Sequence, residues 1–282
     1  MIFTIDYTTG LLLAVLFIYG VFMAELISLI SGSTGNSSLL ASGKTNILID
    51  CGTSGKKLEE ALKAADIMPQ SISAMLITHE HSDHVRGAGI IARKYGIPVY
   101  ATAPTHKAMN IGNLTDSQIK TVSPDNDFEI GDIGITPFAI PHDAAAPVGY
   151  CFCVGNEKFA VATDIGCMNE YIKSHLCGCS DIILESNHDV ELLRIGPYPY
   201  PLKRRILSDV GHLSNKSAAQ TALELTEHGT RHIMLGHLSE HNNRPEIAVM
   251  ETFNMLTGAG VEVGKDVTLQ VADRYSVTRF EK

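Results

Sequence analysis

Short apolar runs separated by polar and glycine-rich turns set the rhythm of the chain from Met23 onward. "ELISLIS", "SSLLAS" and "TNILID" are three such runs divided by Gly, Ser, Asn and Lys, a pattern that predicts strands in an antiparallel meander. The period then changes. In "GKKLEEALKAA", Leu58, Ala61, Leu62 and Ala65 fall on one helical face. Strands are predicted at "AMLITH" and "PVYATA" with a helix over 86–95 between them, then at "FEI", "GITPFAI", "GYCFCVG" and "KFAVATD". Beyond Asp164 helix and strand alternate: a helix to about 177, strand "DIILES", a helical stretch over 189–206, a helix from Ser214 to a Gly229 stop, strand "HIMLGH", a helix from Pro245 and a last strand "DVTLQVA". Two strand-rich halves, each followed by helices, predict two sheets packed face to face with helices outside.

Residues 1–22 break this rhythm. "LLLAVLFIYGVFMA", residues 11–24, is uninterrupted apolar sequence but falls short of the about 18 residues that cross a bilayer. The segment before it carries Asp6 and no Lys or Arg, and no small-x-small cleavage pattern follows, so it does not read as a secretory signal. Met23 opens "MAELISLISGSTGNSSLL" as a natural start does. We therefore expect residues 1–22 to be an upstream or non-native extension, with a membrane-associated amino terminus as the other reading, and residues 23–282 to be one domain.

Composition narrows the function classes. At 282 residues and 45% hydrophobic, the chain can bury a substantial core. A net charge of −9 excludes a surface that coats polyanions indiscriminately, so any contact with nucleic acid has to be local. Cys151 and Cys153 lie two apart in a strand-like run, and Cys177 and Cys179 flank a glycine. Neither pair has the C-x-x-C spacing of a zinc or redox motif, which fits reduced structural thiols in a cytoplasmic protein.

The candidate chemistry is concentrated in "THEHSDHVRGAG". A strand ending at Thr78 hands over to a bend in which His79 and His81 can face one side while Asp83 and His84 face another. Neutral imidazole and carboxylate are ligand types for zinc, manganese or iron, and this arrangement can feed two adjacent ions. Four more groups stand where apolar runs end: Asp50 closes "NILID", His142 follows "ITPFAIP", Asp164 closes "FAVATD" and His237 follows "HIMLG". Any one of these is as readily a capping acid or a satisfied histidine. Four together with a histidine cluster point to a cleft at the strand ends.

These residues resemble the hallmark of the metallo-β-lactamase fold superfamily, H-x-H-x-D-H with an earlier Asp and later His, Asp and His. The resemblance covers 23–282 and implies an α/β, four-layer αββα sandwich. It further implies that His79, His81 and His142 hold one divalent ion, that Asp83, His84 and His237 hold a second, and that Asp164 bridges both. Asp50 would orient a ligand histidine rather than bind metal. Lactam-cleaving members typically do not use the second histidine of "DH" as a ligand and often have cysteine where Asp164 stands; flavodiiron proteins have Glu in place of His81. Antibiotic hydrolysis and redox chemistry are therefore disfavoured. Glyoxalase II shares the ligand types, but its third motif differs from "PFAIPHDAAAPVGY".

The segments "SGSTGNSSLL", "ILIDCGTSGKKLEEAL", "PHDAAAPVGY", "ATDIG", "LESNHDVELL", "KRRILSDVGHLSN" and "LGHLSEHNN" are similar to the YycJ/WalJ family. That resemblance implies a cytoplasmic phosphodiester-cleaving enzyme with 5′-to-3′ DNA exonuclease activity, a place in DNA repair, and no organic cofactor. The residue types agree with such chemistry, since two ions about 3.5–4 Å apart can share a hydroxide that attacks phosphorus. Asp83, Asp164 and His212 are then the catalytic candidates. His212, beside Ser214 at a helix start, can donate a proton or grip phosphate. His188 has either such a role or a local hydrogen-bonding one. Lys203, Arg204 and Arg205 form the strongest basic cluster, a candidate DNA contact that is equally a solvated face. Two other classes stay open: a hydrolase of a small phosphodiester or thioester, which would roof its site, and a metal-binding sensor without turnover, which would need its amino terminus in a membrane.

Overall fold

The computed structural model describes residues 24–281, so the expectations attached to residues 1–22 lie outside the described residues. The first sheet contains β1 (Glu25–Ile30), β2 (Ser37–Ala41), β3 (Asn46–Ile49), β4 (Ile72–Leu76), β5 (Val99–Thr102), β6 (Ile119–Val122) and β14 (Thr278–Arg279), in the order β14-β1-β2-β3-β4-β5-β6. The second contains β7 (Phe128–Ile130), β8 (Ile133–Ala139), β9 (Val148–Val154), β10 (Glu157–Ala162), β11 (Asp181–Glu185), β12 (His232–Gly236) and β13 (Thr268–Val271), in the order β13-β12-β11-β10-β9-β8-β7. The meander β1-β2-β3 is antiparallel, as its turn-rich sequence predicts.

Alternation along the strands builds the layers. In β3, Ile47 and Ile49 pack between the sheets against Tyr150, Phe152 and Phe159, while Leu48 faces the other way onto Leu58 and Leu62 of the helix Gly55–Ala64. The second sheet does the same: Val161 and Ile183 enter the shared core, and Ala160, Ala162, Ile182 and Leu184 meet the helices Glu170–Leu176, Asn215–Glu227 and Pro245–Gly258. A period of two on each strand thus gives helix, sheet, sheet, helix, the expected αββα sandwich.

Some boundaries differ from the sequence expectation. The helix expected over 86–95 is a helical turn, Ser82–Val85, and a helix, Ala88–Tyr95. Gly87 lies between them, and a Cβ there would come within 2.4 Å of the Thr53 carbonyl and 2.8 Å of Cys51 Sγ, so only glycine lets this segment close on the end of β3. The stretch expected over 189–206 splits into Val190–Ile195 and Tyr200–Ile206, because the prolines of "GPYP" cannot continue helical hydrogen bonding. The helix Ala103–Ala108 and strands β6 and β14 were not anticipated.

Candidate metal centre

Each sheet changes from antiparallel to parallel pairing part-way across, between β3 and β4 in one and between β10 and β11 in the other. The predicted site residues cluster at the carboxyl ends of the strands near these changes. Three of them, Asp50, Asp164 and His237, adopt left-handed backbone with φ of 60°, 61° and 57°. A non-glycine residue resists that conformation, and its persistence at three strand ends of one cleft marks a site held by its surroundings.

Two donor groups result. His79 Nε2 lies 3.0 Å from His81 Nδ1, and His142 Nε2 lies 3.3 Å from that same nitrogen. Beside them, Asp83 Oδ2 stands 3.6 Å from His84 Nε2 and 3.7 Å from His237 Nε2. Asp164 faces both groups, with Oδ1 at 3.8 Å from His142 Nε2 and Oδ2 at 3.3 Å from His84 Nε2. Asp164 Oδ2 and His237 Nε2 are buried yet have no hydrogen-bond partner, which is costly unless another partner occupies the gap. Divalent cations fit this donor set of imidazoles and carboxylates.

The outward nitrogens of the imidazoles are pinned. Asp50 accepts from His84 Nδ1 at 2.7 Å and from the Thr78 amide and hydroxyl, each at 2.8 Å. The Thr78 hydroxyl in turn receives His79 Nδ1 at 3.0 Å. His142 Nδ1 donates to the Gly211 carbonyl at 3.0 Å, and His237 Nδ1 to Glu185 at 2.8 Å. These bonds fix each ring's tautomer and leave the other nitrogen for the cleft. Gly52 seats the loop: a Cβ on it would fall 1.6 Å from the Asp83 carbonyl.

The two groups differ electrostatically. Burial depresses the His79 imidazole well below its ordinary value, helped by the surrounding histidines, and burial likewise lowers His142. Burial alone would lower His84 too, but Asp164, Asp50 and Asp83 push it up to about 9; Asp164, Asp83 and Glu185 likewise raise His237 against its burial. A cation held by the acid-rich group would compete with protons for His84 and His237.

Glu185, the last residue of β11, joins the centre without having been a candidate in the sequence. It is fully buried, and one oxygen receives both His237 Nδ1 and His212 Nδ1 at 2.8 Å, while the other accepts the Ile165 and Leu213 amides. The other candidates stand outside the two donor groups. His188 is buried with neither ring nitrogen hydrogen-bonded, and burial lowers it to about 4. Ser214 caps the helix Asn215–Glu227 through the Ser217 amide. Arg205 pairs with Asp143, Lys203 donates to the Arg194 carbonyl at 2.7 Å, and Arg204 is exposed.

Residues 30–237 match the family model described as the metallo-beta-lactamase superfamily. The chain belongs to this superfamily. Its metallo-beta-lactamase fold is seen again in YhfI from Bacillus subtilis, with a TM-score of 0.67 at 15% identity, covering 91% of this chain and 100% of that one. Among curated relatives it is 41% identical over 255 residues to Exodeoxyribonuclease YycJ of Bacillus anthracis, covering 90% of this chain and 97% of the relative. It is 41% identical over 242 residues to Exodeoxyribonuclease WalJ of Streptococcus pneumoniae, covering 84% and 90%. The chain is a metal-dependent hydrolase of the metallo-beta-lactamase superfamily, and the expected YycJ/WalJ resemblance holds over nearly its whole length. No helix among the described residues is long and apolar enough to cross a membrane.

Proposed function

We propose that the chain is a cytoplasmic, two-ion phosphodiesterase that shortens DNA from its 5′ end. The position of Asp164 carries this reading: its two oxygens face two donor groups at once. In it, His79, His81 and His142 would hold one divalent ion and Asp83, His84 and His237 the other, with Asp164 available to either group. DNA as substrate draws support from the relatives named as exodeoxyribonucleases. Zinc, manganese or iron at such a site supplies activation of water and neutralises phosphate oxygens.

The chain's own groups position and move a proton. Burial would raise the Glu185 carboxyl, but His212 and His237 outweigh it and hold the group well below the usual carboxylate range. Ionised Glu185 accepts from His212 Nδ1 at 2.8 Å and so orients the ring with Nε2 toward the cleft. His212 Nε2, unpartnered among the described residues, is then the group that hands a proton to the leaving alkoxide. His142, His212 and His237 sit within ring-to-ring contact, 5.1 and 5.2 Å between centroids, so the proton source adjoins the ligands.

The test is degradation of 5′-labelled single- and double-stranded DNA with Mn²⁺ or Zn²⁺, beside Asp164→Ala and an assay on bis-p-nitrophenyl phosphate. Shortening from the labelled end by the parent, with the variant inert, is expected. Cleavage of the small diester without shortening of DNA would move the substrate class to small molecules.

A further inference from the structure

The chain carries an excess of acid, yet one cavity near the metal centre gathers three cations, Lys57, Arg86 and Arg274, against a single acid, Glu60, in an otherwise uncharged lining. It has a volume of about 460 Å³, and its wall includes Lys57, Arg86, Arg274, Glu60 and Tyr275. Glu60, the one acid in the lining, is 3.9 Å from Lys56. Lys57 and Arg86 have no carboxylate partner among the described residues; Arg86 makes one bond, of 3.3 Å, to the Thr34 carbonyl. Arg274 is 3.5 Å from Glu240. Unpaired cations gathered in a concave surface of an acidic protein make a local well for a polyanion.

The cavity is joined to the acid-rich donor group by short links. Thr34 and Gly35 line it, and the next residue, Asn36, brings Nδ2 to 3.2 Å from His84 Nε2 and its amide to 2.8 Å from the Asp83 carbonyl. Arg274 Nη2 donates at 3.2 Å to the carbonyl of Leu238, which follows His237. Tyr275 stands at the mouth with 72% of its surface exposed. A cationic groove with an exposed aromatic ring is the combination that holds single strands, through phosphates and base stacking together. The other basic cluster is less available, since Arg205 is engaged by Asp143 and Lys203 by a carbonyl.

We infer that the cavity lined by Lys57, Arg86, Arg274 and Tyr275 binds the backbone of a single-stranded nucleic acid, guiding the substrate strand along the side of Asp83, His84 and His237. The inference rests on the nuclease reading and adds to it the path of the strand. Lys57 and Arg86 contact phosphates, Arg274 ties the path to the His237 strand end, and Tyr275 stacks on a base.

The experiment uses the Mn²⁺-loaded full chain and a fluorescent, phosphorothioate-linked deoxythymidine strand, with affinity followed by anisotropy across a salt series and folding checked by thermal melting. Lys57→Ala with Arg86→Ala is expected to flatten the slope of log affinity against log salt by about 1.4, at about 0.7 per single-strand phosphate contact. Lys57→Arg should restore its share. Tyr275→Ala should weaken binding about 5-fold or more with the slope kept, the scale of one lost base stack. Lys265→Ala, a cation outside the cavity that pairs with Glu262, should bind as the parent does. Should the double variant melt early, Lys57→Ala alone, at an exposed position, carries the measurement. A parent that binds and shortens DNA while the cavity variants keep its affinity and slope overturns the groove alone. A parent that cleaves bis-p-nitrophenyl phosphate yet binds no strand overturns the groove together with the nuclease reading.

Discussion

Asp50 and Asp164 occupy corresponding places in the two sheets. Each follows the strand at which its sheet passes from antiparallel to parallel pairing, and each has left-handed backbone. Their surroundings then part. Asp50 accepts hydrogen bonds from the Thr78 amide, the Thr78 hydroxyl and His84 Nδ1, whereas Asp164 Oδ2 is buried with no hydrogen-bond partner. A carboxylate whose acceptors are all engaged supports a neighbour; one left unengaged in a nest of imidazoles is available to a cation. Strand-end position locates both acids, and only the partner count separates their roles.

The largest expected effect falls on Asp164. Asp164→Asn keeps the side chain's size but removes the charge facing both donor groups, and kcat should fall about 10³-fold or more, the several-kcal/mol scale of metal charge stabilisation. Extra metal should not restore it. Glu185→Gln comes next. The proton-donor role of His212 predicts a loss of about 10²-fold in kcat, with KM for DNA and thermal stability little changed. A loss of kcat matched by a raised KM and an early melt would reduce Glu185 to a structural support. Asp50→Asn should be milder, lowering metal affinity about 10- to 100-fold, with activity recovered in a metal titration. A variant at Asp50 that stays inert in excess metal would make the two acids alike and dissolve the comparison.

Much of this centre is legible in the sequence because its residues interrupt a strong pattern. An acid or imidazole closing an apolar run stands out at Asp50, Asp164 and His237, and the crowding of His79, His81, Asp83 and His84 needs no tertiary information. Glu185 carries the same signal, an acid closing "DIIL", but a charged strand end is ordinarily a surface feature. Its burial comes from the long-range approach of His212 and His237, which local periodicity does not encode. The missed strands have a similar cause. Three of the four residues of β6 are exposed, and β14 is two residues long and exists through its pairing with β1. The opposite error, one helical stretch over 189–206, shows apolar content outvoting Pro197, Pro199 and Pro201.

The smallest expected difference separates the halves again, through His188. This histidine lies near Glu185 and, among the described residues, has no counterpart on the Asp50 side: it is buried, neither ring nitrogen is hydrogen-bonded, and burial holds it at about 4, below the ordinary 6.5. A lowered folded-state value means that, as pH falls, the unfolded chain takes up this proton before the folded chain does. His188 thus leaves stability intact above 6.5 and erodes it between 6.5 and about 4, so that stability rises with pH across that window. One unit below 6.5 the erosion amounts to about 1.4 kcal/mol. His188→Gln removes the titration, and urea unfolding of both proteins at fixed free metal should show the parent losing that much more than the variant between neutral pH and one unit below 6.5. Other histidines titrate alike in both proteins and cancel in the difference. Parallel curves would mean that His188 finds a partner in solution, and the contrast between the fully bonded Asp50 and the unbonded groups of the second sheet would then narrow to Asp164 Oδ2 and His237 Nε2.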